Sequence, residues 1–309
     1  MILFRWRFVS FVAGALVVTL GGGVPCVGLA ADPPAEFNDL YGELSVHLDR
    51  FETSLERSGA VDSSVSLGNN LVSGNSHRGL DLINPDPRYY EGILMELDRL
   101  RDMGTGTVKI EISFPMLYEP YHRDWRGQSS EYQQFLDFYK RLASDIRSRG
   151  LKFIVQSSIL FSEGHWTDFS VRPFYDSLTN AEYVGARSSV INTIARELQP
   201  DFLLVQAEPD TESIQTGKAF INNPNNSGLM IRYFLDQLRT QTSFTGQVAS
   251  GFGSWQSSYE LWVDTLTAIP GLDPIDIHVY PVNLDFLDRL FTIADRVKAS
   301  GKTLAIGEA

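Results

Sequence analysis

Short apolar runs alternate with longer amphipathic stretches along most of the chain. The short runs have the length of buried strands, whereas the longer stretches repeat apolar residues every three or four positions, as helices do. This alternation predicts the following seven strands: Val65–Val72, Thr107–Phe114, Leu151–Ser157, Phe202–Ala207, Val248–Gly251, Ile275–Tyr280 and Thr303–Gly307.

The amphipathic stretches predict helices between these strands. They are Tyr90–Arg101, Glu131–Ser148, Thr179–Leu198, Leu229–Leu238, Tyr259–Leu266 and Leu284–Lys298. The segment after the third strand is predicted to be a long loop that reaches about Asp176. Strands that alternate with helices of this length predict βαβ units and a parallel sheet. Seven units without a glycine-rich phosphate fingerprint favour a barrel over an open, doubly wound sheet.

The predicted fold is therefore an α/β fold of the (β/α)8 TIM-barrel type. A barrel of this type closes with eight strands, and the sequence stops just after the seventh predicted strand. We expect residues 63–309 to form a barrel truncated after strand seven, without its last strand and helix. The unpaired strand would then present an open edge.

The N-terminus has the three parts of a secretory signal peptide. Arg5 and Arg7 precede the apolar stretch Phe8–Leu20, and Gly28–Ala30 resembles a small-residue cleavage site. Residues 1–30 are therefore predicted to be removed on export, which places the protein outside the cell or in the periplasm. An uncleaved membrane anchor is the alternative, although the apolar stretch is short for a membrane span.

Residues 31–62 are predicted to form a helical extension. Apolar residues recur at three-four spacing over Glu36–Ser58, which indicates an amphipathic helix. We expect this helix to pack against its own chain, and dimerisation is the alternative.

Composition narrows the class of partner. The formal net charge of −12 argues against nucleic acid and anionic membranes. The only cysteine, Cys26, lies in the predicted signal peptide, so the mature chain is expected to have no disulfide.

Glu163, His165 and Asp168 suggest a metal site, but the chain has no two-histidine helical motif. The sequence therefore predicts no metal and no cofactor.

Two glutamates follow predicted strands. Glu208 comes directly after Phe202–Ala207, and Glu308 directly after Thr303–Gly307. Residues at the carboxyl ends of barrel strands form the active site of such folds. Most glycoside hydrolases use a pair of carboxyl groups for catalysis, so a pair at that face indicates glycoside hydrolysis. Each glutamate taken alone could equally be a surface residue at a strand–helix corner.

Three segments carry a resemblance to a known family. Gln206–Pro209, His278–Pro281 and Ile306–Glu308, at strand ends four, six and seven, resemble the clan A glycoside hydrolases. The resemblance covers about Val65–Ala309 at the level of strand order and matches no single family of the clan. It implies a retaining enzyme that cleaves a β-linked poly- or oligosaccharide.

The resemblance also implies roles for individual residues. Glu208 resembles the acid/base, Glu308 the nucleophile, and Tyr280 the aromatic residue that lies close to the nucleophile. His278 is expected on the same face as Tyr280, because side chains alternate along a strand. One departure is Ala207, which stands where most clan members have an asparagine that binds the sugar 2-hydroxyl.

Further residues are candidates for substrate binding. Trp255 and Trp166 lie in loops after strands five and three, where their rings can stack on sugars, although loop packing is the alternative. Asn75 and Arg78 follow the first strand and could reach the barrel mouth or simply be satisfied loop residues. Asp210 and Glu212 are interpreted as charges at a helix N-terminus.

Two other functions remain open at this point. The substitution at Ala207 and the missing strand are compatible with a non-catalytic carbohydrate-binding barrel. The N-terminal helix is compatible with a structural surface protein.

Overall fold

The computed structural model describes residues 35–46, 49, 68–161, 171–280, 282 and 284–308. The chain divides into two compact units, Met1–Ser63 and Ser64–Ala309. The first unit contains a helix over 38–46, α1, which is part of the predicted amphipathic helix. The predicted signal peptide lies outside the described residues. None of the helices among the described residues is long and apolar enough to cross a membrane.

The second unit alternates strands and helices. Its strands are β1 Gly68–Asn70, β2 Thr107–Glu111, β3 Lys152–Gln156, β4 Phe202–Leu204, β5 Gln247–Gly253, β6 Ile275–His278 and β7 Leu304–Glu308. Its α-helices are α2 Pro87–Asp102, α3 Ser129–Ser148, α4 Arg172–Ser177, α5 Asn180–Leu198, α6 Pro209–Thr216, α7 Pro224–Gln241, α8 Tyr259–Thr267 and α9 Leu284–Ala299.

The seven strands form one parallel sheet in the order β1 to β7. Adjacent strands lie about 4.8 Å apart, so five spacings would separate β2 from β7 by about 24 Å in a flat sheet. Lys109 of β2 nevertheless donates a hydrogen bond to the Gly307 carbonyl of β7, at 3.0 Å. The sheet must therefore curl towards a barrel, and the predicted TIM-barrel type, with seven strands, is confirmed.

Helix ends follow from local chemistry. α5 begins with a capping box, in which Thr179 and Glu182 satisfy each other's free backbone N–H groups. Pro87, Pro209 and Pro224 occupy the first positions of their helices, where proline costs no hydrogen bond. These signals explain why most predicted helices are found within a few residues of their predicted bounds.

Several predicted boundaries are wrong, and β4 and β6 are among the strands that end earlier than predicted. β2 ends at Glu111 rather than Phe114, although Ile112 and Phe114 still donate backbone hydrogen bonds to the end of β3 and the segment after it, and Phe114 forms an isolated bridge with Ile159. The segment predicted as a loop to about Asp176 contains the short helix α4. Trp262 of α8 is fully buried in the core.

Candidate functional site

The carboxyl ends of several strands bring polar side chains to one face of the curled sheet. β2 ends at Glu111, β6 at His278 and β7 at Glu308. Glu208 follows β4 and is the residue immediately before α6. Because all the strands are parallel, these ends meet at the same face, which is where barrel enzymes hold their active sites.

A β-bulge at Gly307 aims Glu308. β6 pairs Ile277 with Ile306 and His278 with Glu308, so Gly307 is an extra residue in β7. A Cβ atom on Gly307 would lie 2.3 Å from Asp276 Oδ1, so only glycine fits here. Bulges redirect side chains and are common beside active sites. This bulge sets Glu308 beside His278.

His278 lies between the two predicted catalytic glutamates. Its Nδ1 is 2.8 Å from Glu208 Oε1 and 3.1 Å from Glu308 Oε2. Its Nε2 is 3.2 Å from Asp276 Oδ2. The imidazole is only 1% exposed. One oxygen of Glu208 and one of Glu308 lie within 4.8 Å of each other and of the ring nitrogen.

The positive charge of His278 and the negative charges of the carboxylates around it stabilise one another. Burial alone would lower the pKa of His278, but contacts with Asp276, Glu208 and Glu308 outweigh it and raise that pKa to about 11. The hydrogen bond from His278 lowers the pKa of Glu308 to about 2, against the opposing effect of burial. At neutral pH His278 is therefore an imidazolium and Glu308 a carboxylate.

His278→Gln is expected to remove a pH-dependent part of the free energy of unfolding. The folded-state pKa of His278, about 11, exceeds its ordinary value of 6.5. Its proton therefore stabilises the fold fully below pH 6.5, and this contribution is lost as pH rises through 11. Urea unfolding between pH 6.5 and 9.5 should show wild type losing up to about 1.4 kcal/mol per pH unit relative to the variant.

His77→Gln is the control for this experiment. Burial and the neighbouring Arg78 lower the pKa of His77. Any pH dependence that His77 gives to the free energy of unfolding is therefore confined to the range below pH 6.5. Equal slopes for wild type and His278→Gln above pH 6.5 would contradict the ion pairing of His278.

An aromatic pair lies beside the carboxylates. The rings of Trp255 and Tyr280 are 5.2 Å apart between centroids, at 35°. The Trp255 indole N–H donates to Asp210 Oδ2 at 2.6 Å, which fixes the ring. Tyr280 also hydrogen-bonds Glu308, and burial raises the pKa of its hydroxyl, so the phenol remains a donor to that carboxylate.

A cavity of about 290 Å³ opens beside these groups. Its lining includes Glu208, Glu308, Tyr280 and Ala207. This volume is near the lower end of the range for small-molecule sites. The structure thus brings Glu208, Glu308 and Tyr280 together at one cavity, with the buried His278 in contact with both glutamates and Trp255 against Tyr280.

Glu111 is a further carboxylate of this cavity, which the sequence analysis missed. Burial raises its pKa, and the negative charges of Glu308 and Glu208 act in the same direction, whereas Lys109 opposes them. Glu111 was missed because the second strand was predicted to continue to Phe114. Its position at the end of a strand would have identified it as a candidate.

Glu212 was interpreted from the sequence as a charge at a helix N-terminus, which left out its ion pair with Arg187. Glu212 is buried in the first turn of α6, 3.3 Å from the guanidinium of Arg187. Arg187 is fully buried and donates to the carbonyls of Ser157, Ser158 and Val205. This buried pair joins the ends of β3 and β4 at the wall of the cavity, which Glu212 lines.

The other predicted site residues lie elsewhere. Asn75 is 3% exposed, and its side chain accepts a hydrogen bond from the Glu111 backbone N–H. Arg78 pairs with Asp81 and lines a separate surface cavity. Trp166 lies outside the described residues. The structure therefore does not bring Arg78 to the carboxylates, and it gives Asn75 a supporting role behind Glu111.

Glu208, His278 and Glu308 are close enough to share a metal ion. Such an ion would have to displace the Nδ1 proton, which lies between both carboxylates and is held with a pKa of about 11. Protons therefore compete strongly with metals at this position.

No protein-family model matches the chain, and no curated protein sequence matches it either. The structure is similar to a solved GH5_18 protein from Bifidobacterium longum subsp. longum, with a TM-score of 0.52 and 16% identity. That match covers 78% of this chain and 60% of the other, so the chain spans about three fifths of the length of that protein.

A family 1 β-glucosidase from Thermotoga maritima is also similar, with a TM-score of 0.50 and 12% identity. The match covers 77% of this chain and 75% of that one. At such identities the likeness concerns the fold, and it confirms the resemblance at that level: the chain has the barrel fold of the clan A glycosidases.

Proposed function

We propose that the protein is an exported retaining glycoside hydrolase that cleaves a β-linked glycan, with Glu208 as acid/base and Glu308 as nucleophile. The observation that carries this proposal is the approach of their carboxylate oxygens to within 4.8 Å. Retaining enzymes hold their carboxyl groups about 5–5.5 Å apart, whereas inverting enzymes need about 6.5–9.5 Å to admit a water molecule. The short separation supports a double displacement.

In the first step Glu308 attacks the anomeric carbon of the bound sugar. A bond forms between that carbon and a Glu308 oxygen, and the bond to the glycosidic oxygen breaks. The low pKa of Glu308, about 2, supports this role because the group stays ionised at neutral pH. Glu208 gives a proton to the departing oxygen.

The proton on Glu208 can come from His278. The two groups are joined by a 2.8 Å contact between Nδ1 and Oε1. A bound sugar excludes water, and an ion pair in a less polar environment is costly. Transfer of the proton to Glu208 forms a neutral pair. It also removes the positive charge beside Glu308 and leaves that nucleophile more reactive.

In the second step Glu208 acts as a base. It takes a proton from water, whose oxygen attacks the anomeric carbon and displaces Glu308. Two inversions at the same carbon return the original configuration. Tyr280 donates a hydrogen bond to the Glu308 carboxylate, which regains its charge at this point.

Hydrolysis of a β-linked oligosaccharide followed by proton NMR tests the stereochemistry. The first product observed should be the β-anomer, before mutarotation appears. Initial release of the α-anomer would contradict the double displacement. A run without enzyme gives the mutarotation rate as the control.

A non-catalytic sugar-binding barrel is the second candidate, because Ala207, whose side chain cannot form a hydrogen bond, lines the cavity. Saturable binding of oligosaccharides without any hydrolysis would favour it.

A further inference from the structure

Glu111 presents a carboxyl group to the cavity without a partner. Its backbone N–H donates to Asn75 Oδ1 at 2.8 Å, which fixes the end of β2. Among the residues that the structure describes, no side chain forms a hydrogen bond or ion pair with the Glu111 carboxylate. The two catalytic carboxylates, by contrast, both contact His278.

The charges of Lys109 and His278 act on Glu111, but both cations form their hydrogen bonds with other groups. Lys109 donates to Gln156 Oε1 at 3.1 Å and to the Gly307 carbonyl. Arg187 pairs with Glu212, another glutamate of the cavity lining. No lysine or arginine lies among the described residues that line the cavity, whereas four of them are glutamates. Glu111 is the member of this wall that has no counter-charge in contact.

We propose that Glu111 binds the protonated amine of an amino sugar, so that the glycan cleaved here carries free amino groups. This inference rests on the proposed function and names its substrate class. An ammonium group supplies the missing positive charge and donates three hydrogen bonds. A hydroxyl group supplies no such charge, and the burial that raises the pKa of Glu111 then favours its uncharged form.

Three β-1,4-linked tetramers test the inference, because they differ in one substituent. They are the tetramers of glucosamine, N-acetylglucosamine and glucose. A charge-assisted hydrogen bond is worth about 1.5–3 kcal/mol, which corresponds to roughly 10- to 100-fold in kcat/KM. The protein should therefore prefer the glucosamine tetramer over the glucose tetramer by about that factor.

Glu111→Gln keeps the shape of the side chain and removes its charge. The ratio of kcat/KM between the glucosamine and glucose tetramers should fall towards one. Glu91→Gln is the matched control, since it removes the same charge from the exposed surface of α2 and should leave the ratio unchanged. Circular dichroism and the melting temperature establish that the variants are folded.

The outcomes separate this inference from the proposed function. Equal rates on all three tetramers would overturn the inference and leave the hydrolase in place. If no tetramer is cleaved, calorimetric titration of the glucosamine tetramer decides the inference alone. Binding that Glu111→Gln weakens at least tenfold would support it, and equal or absent binding would overturn it.

Discussion

Glu308→Gln is expected to abolish turnover of every glycoside that the protein hydrolyses. The amide cannot carry the negative charge with which Glu308 attacks the anomeric carbon, so the glycosyl–enzyme bond does not form. Loss of a nucleophile reduces kcat by about four orders of magnitude or more in well-studied hydrolases. The loss should be the same for good and poor leaving groups, because both need the nucleophile.

Initial rates on aryl β-glycosides and on an oligosaccharide measure this effect. The control is Glu91→Gln, which makes the same chemical change far from the cavity lining. Calorimetry should show that Glu308→Gln still binds the oligosaccharide, which separates lost chemistry from lost folding. A variant that keeps wild-type rates would exclude Glu308 as the nucleophile.

The strand ends of the site were predictable because each is marked locally. An apolar run ends in a single carboxylate at Glu208 and again at Glu308, and parallel strands gather such ends at one face. β4 is shorter than predicted, yet Val205 still donates to the Ala249 carbonyl at 2.9 Å. The extended backbone therefore continues towards Glu208, and the short strand does not move the carboxylate from the predicted face.

The same rule missed Glu111 because the end of its strand was misplaced. The apolar alternation continues through Ile112 and Phe114, both of which are fully buried. Backbone hydrogen bonds also continue past Glu111, from the Ile112 N–H to the Gln156 carbonyl at 2.9 Å and from the Phe114 N–H to the Ser158 carbonyl at 2.8 Å. The end of the regular strand is therefore not an end of burial. Sequence periodicity reports burial and not pairing, so it could not locate the end of β2.

The position of His278 between the carboxylates depends on contacts distant in sequence. Its partners Glu208 and Glu308 lie 70 and 30 positions away, and the bulge at Gly307 sets the second contact. The alternation of side chains along the strand predicted the face on which His278 lies. It could not predict which residues of other strands contact His278. Arg78 shows the converse, because a loop residue after β1 turned to pair with Asp81 instead.

Glu208→Ala is expected to slow hydrolysis in proportion to how much the leaving group needs a proton. General acid–base catalysis contributes about 10²- to 10⁴-fold, so natural oligosaccharides with poorly acidic leaving groups should lose about that factor. The acidic phenol of an aryl glycoside departs as a phenolate without protonation. The glycosyl–enzyme therefore forms from such a substrate at nearly the normal rate. Its hydrolysis then becomes slow, because no base activates the water molecule.

Added azide should rescue this second step in Glu208→Ala and not in Glu308→Gln. The anion needs no base and can enter the space that the Glu208 carboxylate leaves beside the anomeric carbon. Its attack on the glycosyl–enzyme yields a glycosyl azide of the original β configuration, which NMR identifies. Wild type, whose carboxylate repels the anion, is the control. If azide leaves the rate of Glu208→Ala unchanged and that variant loses activity equally on all leaving groups, Glu208 is not the acid/base.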